Sequence, residues 1–141
     1  MAEYHFVYPS TLEAEELLLD DLIAALRDCG VEKGTGHRFQ QAISEAFTNA
    51  LEHGNKMDEK KLVTVNLVVN EMEILADIID EGEGGLAAIR RKQPPDILAE
   101  GGRGIDLIRM YIDEAVFSEN ESGGLKVTLR VARQKEQIIR K

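Results

Sequence analysis

The spacing of apolar residues in the first part of the chain predicts one strand followed by two helices. His5–Pro9 reads as a short strand that ends at a proline. Ser10 or Thr11 then offers a cap for a helix that ends at Gly30, glycine being the usual C-terminal stop. Helical spacing predicts a second helix over 35–53. The stripes predicted to be buried are Leu12, Leu18, Leu19, Leu22, Ile23 and Leu26 on the first helix and Phe39, Ile43, Ala46, Phe47 and Ala50 on the second.

The rest of the chain predicts two hairpins separated by a long glycine-rich segment. β-Branched and alternating residues predict strands at 61–69, 72–79, 114–118 and 125–132. Residues 80–104 show no strong period and are expected to form a lid, from about 82 to 104, before a helix over 104–111. Since strands and helices do not alternate regularly, this order predicts an α+β fold. We expect a two-layer sandwich with a mixed, mainly antiparallel sheet and helices on one face.

Composition narrows the partners that this domain is expected to have. With 141 residues the chain is long enough for one domain with its own core. It carries 17 basic and 26 acidic residues and a net charge of −9, which argues against direct binding to nucleic acid or to an anionic membrane surface. A single cysteine excludes an internal disulfide. Without a signal-peptide pattern or a spanning apolar stretch, the expected location is the cytoplasm.

The charge is distributed unevenly along the sequence. Residues 1–60 hold 5 basic and 12 acidic side chains, whereas six basic residues from Lys126 onward face one acid, Glu136. The basic stretch, which includes a tail over 133–141, is expected to be a solvated strand edge and tail. A docking surface for an acidic partner is the alternative.

Glu45 and Asn49 lie four residues apart on the second predicted helix and therefore share one face. At about 100° per residue, Glu52 and His53 fall in the same arc. An amide oxygen suits a hard cation such as Mg²⁺, and a carboxylate can accept a proton from a nearby hydroxyl. An ordinary solvated polar face is the alternative for this spacing alone, and His53 is expected to cap or to pack.

Asp80 ends an apolar strand and is followed by Gly82 and Gly84. The carboxylate is therefore expected at the mouth of the strand, where glycine lets the backbone approach a ligand closely. A hairpin turn or the entry to the lid is the alternative for this segment.

Gly102, Arg103 and Gly104 open the helix that follows the lid. Free N–H groups at a helix start favour an anion, and a forked guanidinium suits phosphate. Taken alone, a flexible lid hinge fits the segment equally well. Farther back in the lid, Arg90, Arg91 and Lys92 are expected to be solvated charges.

These three segments, in this order and spacing, resemble the motifs of the GHKL (Bergerat-fold) ATPases. Residues 45–54 (EAFTNALEHG) resemble the N-box, 80–84 (DEGEG) the first glycine box and 102–108 (GRGIDLI) the second. The resemblance spans roughly residues 10–132 and is closest to the branch of bacterial anti-sigma-factor serine/threonine kinases. It implies a histidine-kinase-like ATP-binding fold.

The resemblance also implies a role for each matching residue. Glu45 would be the general base that activates the attacking hydroxyl. Asn49 would bind the Mg²⁺ that bridges the ATP phosphates. Asp80 would accept a hydrogen bond from the adenine amino group.

The matching glycines would serve the nucleotide through their backbone. Gly82 and Gly84 would shape the adenine pocket and the entry to the lid. Gly102 and Gly104 would let the lid reach the phosphates, with Arg103 as a cation beside them.

The chain departs from the family at the start of its last strand. Many relatives carry Gly-Thr there, and the threonine supports the adenine contact. Here the segment reads Gly124-Leu125-Lys126. Thr128 is expected on the same strand face as Lys126 and is not assigned that role.

The function implied by the resemblance is that of a single-domain, ATP- and Mg²⁺-dependent kinase covering residues 1–141. It would phosphorylate a STAS-type anti-anti-sigma factor and sequester a sigma factor. A nucleotide-switched binding module without kinase activity and a switch kinase acting on a sensory scaffold are the alternatives. Relatives are often dimers, and the apolar first helix beside an edge strand offers an interface for a homodimer.

Overall fold

The computed structural model describes residues 1–87 and 108–133. Its elements are β1 Ala2–Pro9, α1 Leu12–Asp28, α2 Lys33–Asn49, β2 Leu62–Val69, β3 Glu73–Ile79, β4 Glu114–Glu119 and β5 Leu125–Ala132. α2 continues into a π-helical turn, Ala50–Gly54. The predicted lid residues 88–104, including Arg90, Arg91 and Lys92, and the predicted tail residues 134–141 lie outside the described residues.

The strands form one five-stranded sheet in the order β1-β2-β3-β5-β4. Each of the four pairings between these strands is antiparallel. In the middle of the sheet Ala76 of β3 lies opposite Leu67 of β2 on one side and Leu129 of β5 on the other. The predicted α+β class with a mainly antiparallel sheet is confirmed.

Both helices cover the same face of this sheet, as predicted. Alternate residues of the inner strands are buried there, namely Val63, Val65, Leu67, Val69, Ile74, Ala76, Ile78, Val127, Leu129 and Val131. The predicted stripe of α2 is buried in full, with Phe39, Ile43 and Phe47 at 0% exposure. Burying an aromatic or aliphatic side chain of this size contributes roughly 1.5–3 kcal/mol, so this layer supplies most of the apolar driving force for folding.

The stripe predicted for α1 is too wide. Leu18, Leu22 and Leu26 are buried, but Leu12 is 73% and Ile23 is 43% exposed. α1 contacts α2 and the edge strand β1. A helix at the edge of a sheet buries only the arc that faces both neighbours, and the two exposed residues lie outside that arc.

The ends of α1 are made differently from one another. Gly30 adopts φ +64°, and the N–H groups of Gly30 and Val31 donate to the carbonyls of Arg27 and Leu26 at 3.0 Å. This paired arrangement confirms the predicted glycine stop. At the start of α1, Thr11 is the N-cap residue, but its side chain makes no capping hydrogen bond.

The uncovered face of the sheet is polar and pairs its charges. Lys126 lies 3.7 Å from Asp77, which also accepts a hydrogen bond of 2.6 Å from Thr128. Arg130 lies between Glu73 and Glu114 at 3.7 and 3.9 Å. The cations of β5 are therefore paired across strands, which agrees with a solvated strand face.

Arg133, directly after β5, binds the segment that joins α1 to α2 and the turn before β3. Its guanidinium donates to both carboxylate oxygens of Glu32, at 3.1 and 2.9 Å, and to the carbonyls of Asn70 and Gly30, each at 2.9 Å.

Among the described residues, no helix is long and apolar enough to cross a membrane.

Candidate functional site

Asp80 is a buried carboxylate at the end of β3. It is 4% exposed, and its Oδ1 accepts hydrogen bonds from the N–H groups of Gly82 (2.9 Å) and Leu125 (3.0 Å). Within residues 1–87 and 108–133, these are the hydrogen bonds that reach the carboxylate. Both end on the same oxygen, so the carboxylate is held in one orientation.

Burial raises the pKa of Asp80 above the ordinary range of an aspartate. The N–H groups of Gly82 and Leu125 and the positive charge of Lys61 act in the opposite direction but do not cancel it. The surroundings therefore disfavour the charged form of this carboxylate, which is a property shared by many functional sites.

Three glycines enclose Asp80 so closely that none has room for a side chain. A Cβ on Gly54 would lie 2.2 Å from Asp80 Oδ2, and one on Gly82 would lie 2.1 Å from the carbonyl oxygen of Gly54. A Cβ on Gly124 would lie 2.4 Å from the carbonyl oxygen of Asp80. The end of the π-helical turn, the loop after β3 and the start of β5 thus meet at this carboxylate.

Asn55, directly after the π-helical turn, locks that turn to the loop after β3. Its side chain is 1% exposed. Its Nδ2 donates to Ser10 Oγ (2.9 Å) and to the Leu62 carbonyl (3.0 Å), while its Oδ1 accepts from the Glu81 N–H (2.7 Å). Ser10 in turn donates to the Lys61 carbonyl at 2.6 Å, so this hydroxyl does not cap α1.

Replacing Asn55 with alanine is expected to lower the free energy of unfolding by about 2 kcal/mol. The change leaves the Glu81 N–H and the Leu62 carbonyl without their amide partner in a buried setting. Urea unfolding measures the effect. Asn66→Ala, which alters an exposed amide paired with His5, is the matched control and is expected to change stability by no more than about 0.5 kcal/mol. Equal stability of the Asn55 variant and wild type would contradict the structural role given to this amide.

Glu45 and Asn49 are half-buried residues one turn apart near the end of α2. The predicted arc that adds Glu52 and His53 assumed α-helical geometry throughout, whereas the helix widens to a π turn from Ala50 onward. The Asn55 N–H donates to the Ala50 carbonyl at 2.8 Å, five residues back instead of four. Glu52 and His53 are exposed on this wider turn.

The start of β5 reaches Asp80 through its backbone. The Leu125 N–H donates to Asp80 Oδ1, and the Asp80 N–H donates to the Leu125 carbonyl at 3.1 Å. Thr128 bonds Asp77 on the uncovered face, as its predicted orientation requires. Asn120, in the turn before β5, donates to the Asp80 carbonyl at 2.8 Å.

A shallow pocket of about 370 Å³ opens behind Asp80 on the uncovered face of the sheet. Its lining comprises Leu62, Thr64, Ile79, Asp80, Glu81, Asn120, Glu121 and Ser122. Neither Glu45 nor Asn49 contributes to it, so this pocket is separate from the polar face of α2.

The structure brings together only part of the predicted site. Gly82 lies against Gly54 beside Asp80, and Gly84 adopts φ +68° with open space around it. Gly102, Arg103 and Gly104 lie outside the described residues. Gly54, Asn55, Asn120 and Gly124 were not among the predicted site residues. Gly54 and Asn55 carry the signal of a helix end, and Asn120 and Gly124 that of a turn, so neither pair marked a site.

A family model described as the histidine kinase-like ATPase domain matches residues 8–131 of this chain. The curated relatives include an anti-sigma F factor from Bacillus cytotoxicus, 30% identical over 62% of this chain and 62% of that protein. Another, from Geobacillus stearothermophilus, is 26% identical over 69% of each chain. This chain thus spans about two thirds of the length of the curated relatives that it matches.

A solved structure shares the fold. The crystal structure of the RsbU and RsbW domains of a Mycobacterium tuberculosis protein matches with a TM-score of 0.71 and 22% identity, covering 99% of this chain and 35% of that chain. At this identity the likeness concerns the arrangement of helices and strands only.

Proposed function

Because this chain belongs to the histidine kinase-like ATPase family, we propose that it is an anti-sigma regulatory protein that binds ATP with Mg²⁺. As a serine/threonine kinase it phosphorylates a STAS-type anti-anti-sigma factor, and it sequesters a sigma factor. The similarity to anti-sigma F factors supports this proposal. The motifs that resemble the anti-sigma kinase branch agree with it.

One observation carries the ATP-binding part of the proposal, namely the buried carboxylate of Asp80 with its three glycines. A carboxylate that is 4% exposed, with a raised pKa, costs the fold stability, as groups kept for binding often do. Both of its described hydrogen bonds end on Oδ1, and Oδ2 faces Gly54, where no side chain intervenes. An acceptor held in one orientation beside bare backbone suits the amino group of adenine.

The face of α2 fits the metal and the reacting hydroxyl. Asn49 presents one amide oxygen, and among the described residues no group of three or more histidine, cysteine or acidic side chains forms a metal site. Such a face fits a Mg²⁺ that is held mainly by ATP phosphates and water, because Mg²⁺ keeps several waters and needs few protein ligands. When bound, the ion would neutralise charge on the phosphates.

Glu45, one turn before Asn49, would accept the proton of the attacking serine or threonine hydroxyl. Gly102, Arg103 and Gly104 would bring backbone N–H groups and one guanidinium to the phosphates. Phosphoryl transfer depends chiefly on positioning and charge neutralisation, so these groups are chemically sufficient for a kinase.

Asp80→Asn is expected to weaken ATP binding without lowering the free energy of unfolding at neutral pH. Asparagine keeps an oxygen for the Gly82 and Leu125 N–H groups, but it removes the buried charge and presents a donor to the adenine amine. We expect at least about a tenfold loss of ATP affinity, measured by calorimetry. Urea unfolding at neutral pH is expected to show a variant as stable as wild type, or more stable.

The pH dependence of that comparison follows from the raised pKa of Asp80. Its favourable contribution to folding is complete below the unfolded pKa of aspartate and is lost as pH rises through the higher folded pKa. The wild type is therefore at a disadvantage to Asp80→Asn at neutral pH, and the two should converge in acid. If Asp80→Asn binds ATP as tightly as wild type, the hydrogen bond assigned between Asp80 and the adenine amino group is refuted.

The kinase activity is tested by incubating the protein with Mg-ATP and a STAS-domain protein or a sigma factor. The expected results are a mass increase of one phosphoryl group on the STAS protein and a complex with the sigma factor. Complex formation and ATP binding without phosphoryl transfer would identify a nucleotide-switched binding module instead. Wild-type protein that binds no ATP would contradict the whole proposal.

A further inference from the structure

We propose that Asn120 is the positioning residue for Asp80 and thereby sets the preference of this site for adenine. The inference rests on the proposed function, because that function assigns the base contact to Asp80. It adds a residue from the turn between β4 and β5, for which the sequence showed only the composition of a turn.

The oxygen of the Asn120 side chain organises that turn. Oδ1 accepts hydrogen bonds from the Ser122 N–H (3.0 Å), the Ser122 hydroxyl (2.6 Å) and the Gly124 N–H (3.0 Å). The backbone adds bonds from the Asn120 N–H to the Gly124 carbonyl (2.8 Å) and from the Gly123 N–H to the Asn120 carbonyl (3.0 Å). The Asn120 side chain and these two backbone bonds together hold the turn in one conformation.

The nitrogen of the same amide holds Asp80. Nδ2 donates to the Asp80 carbonyl oxygen at 2.8 Å. The residue that follows the turn, Leu125, donates its N–H to Asp80 Oδ1 at 3.0 Å. Asn120 thus acts on the backbone of Asp80 directly and on its carboxylate through the turn.

The packing at Gly124 allows little adjustment between the turn and Asp80. A Cβ at Gly124 would lie 2.4 Å from the Asp80 carbonyl oxygen, 2.8 Å from Asp80 Oδ1 and 2.8 Å from Asn120 Nδ2. The carbonyl oxygen and carboxylate of Asp80 and the side-chain amide of Asn120 therefore all lie next to Gly124. A displacement of the turn is therefore transmitted to the carboxylate, and a hydrogen bond to a ligand amine weakens steeply when its geometry is lost.

Leu125 contacts Asp80 through its backbone N–H group. The resemblance places a threonine at this position in many relatives, where its side chain supports the adenine contact, whereas leucine offers no hydroxyl. In this chain the support for Asp80 comes from the Leu125 backbone and from the Asn120 amide.

The test compares ATP with inosine triphosphate, which has a carbonyl group where adenine has its amino group. In Asn120→Asp the carboxylate still accepts from Ser122 and Gly124 but cannot donate to the Asp80 carbonyl. We expect wild type to bind ATP about tenfold more tightly than inosine triphosphate. In the variant this ratio is expected to fall towards one, because ATP binding weakens while binding of inosine triphosphate changes little. Both nucleotides carry the same phosphates, so the effect of the added negative charge on the phosphates cancels in the ratio. Its effect near the base is controlled by Asn120→Ser, which removes the same hydrogen bond without adding charge.

Asn70→Asp is the matched control. Asn70 Oδ1 accepts from the N–H groups of Met72 and Glu73, each at 2.8 Å, in the turn at the far end of β3 from Asp80. This variant is expected to keep the wild-type ratio. Asn120→Ser, which is too short to reach Asp80, serves as a second variant should Asn120→Asp fail to fold, and melting temperatures are measured for all of them.

Two results would overturn the inference. Wild-type affinity for both nucleotides in both Asn120 variants would leave Asn120 as a turn residue only. An equal loss of affinity for both nucleotides would assign it to the stability of the fold. If wild type binds neither nucleotide, the proposed function itself fails, and that outcome is distinct from either of these.

Discussion

Glu45→Gln is expected to reduce phosphoryl transfer by about 10²–10⁴-fold while ATP still binds. Glutamine keeps the size and the helical setting of Glu45 but cannot accept the proton of the attacking hydroxyl. The residue is half-buried and one turn from Asn49, so the substitution leaves the packing of α2 intact. Single-turnover transfer of labelled phosphate to the STAS protein measures the rate, and calorimetry measures ATP binding.

The control for this prediction is Glu59→Gln, the same chemical change at an exposed position in the turn before β2. It should transfer phosphate at the wild-type rate. Wild-type activity in Glu45→Gln would remove this residue from the mechanism. Loss of both ATP binding and transfer would instead indicate damage to the nucleotide site.

Gly82→Ala should have the largest effect on the structure of the site. The added Cβ would lie 2.1 Å from the carbonyl oxygen of Gly54, 2.6 Å from its carbonyl carbon and 2.9 Å from its Cα. All three atoms belong to the backbone, so no side chain can rotate away. We expect the free energy of unfolding to fall by about 3 kcal/mol and ATP affinity to fall by more than about tenfold.

Two further glycines provide graded controls for Gly82→Ala. Gly34, in the first turn of α2, has open space around it, so Gly34→Ala is expected to stabilise the protein by about 0.4–1 kcal/mol. Gly84 also has open space but adopts φ +68°, so Gly84→Ala should cost about 1 kcal/mol through backbone strain alone. Urea unfolding of the three variants separates crowding from strain. If Gly82→Ala is as stable as Gly84→Ala or more stable, the close contact between Gly82 and the Gly54 backbone does not have the expected effect.

The two predictions concern residues on two different elements of the proposed nucleotide site. Glu45 belongs to α2, whereas Gly82 belongs to the loop after β3. The π-helical turn Ala50–Gly54 and Asn55 connect them, since Asn55 Oδ1 accepts from the Glu81 N–H. A π turn is rare and is often found at functional sites, and here it brings Gly54 against the carboxylate of Asp80.

Much of the fold was predictable because its signals are local. The β-branched runs and the 3.6-residue period predict β2, β3, β5 and α2 with boundaries close to those observed, because each element must bury one face. The three motifs with their family resemblance predict a histidine kinase-like ATPase, and the family match confirms that prediction. The first strand begins at Ala2, earlier than its pattern suggested, because pairing with β2 along its whole length stabilises the extra residues.

The local pattern of residues was enough to predict most helices and strands, the buried face of α2 and the ordered motifs around Glu45, Asn49 and Asp80. The way in which Asp80 is held depends on the folded chain. Its partners come from far along the chain, since Asn120 is 40 and Leu125 is 45 positions away. Local periodicity carries no information about such pairs. The sheet order, which places β5 beside β3, creates the burial of Asp80 and the close packing of these glycines and amides around it.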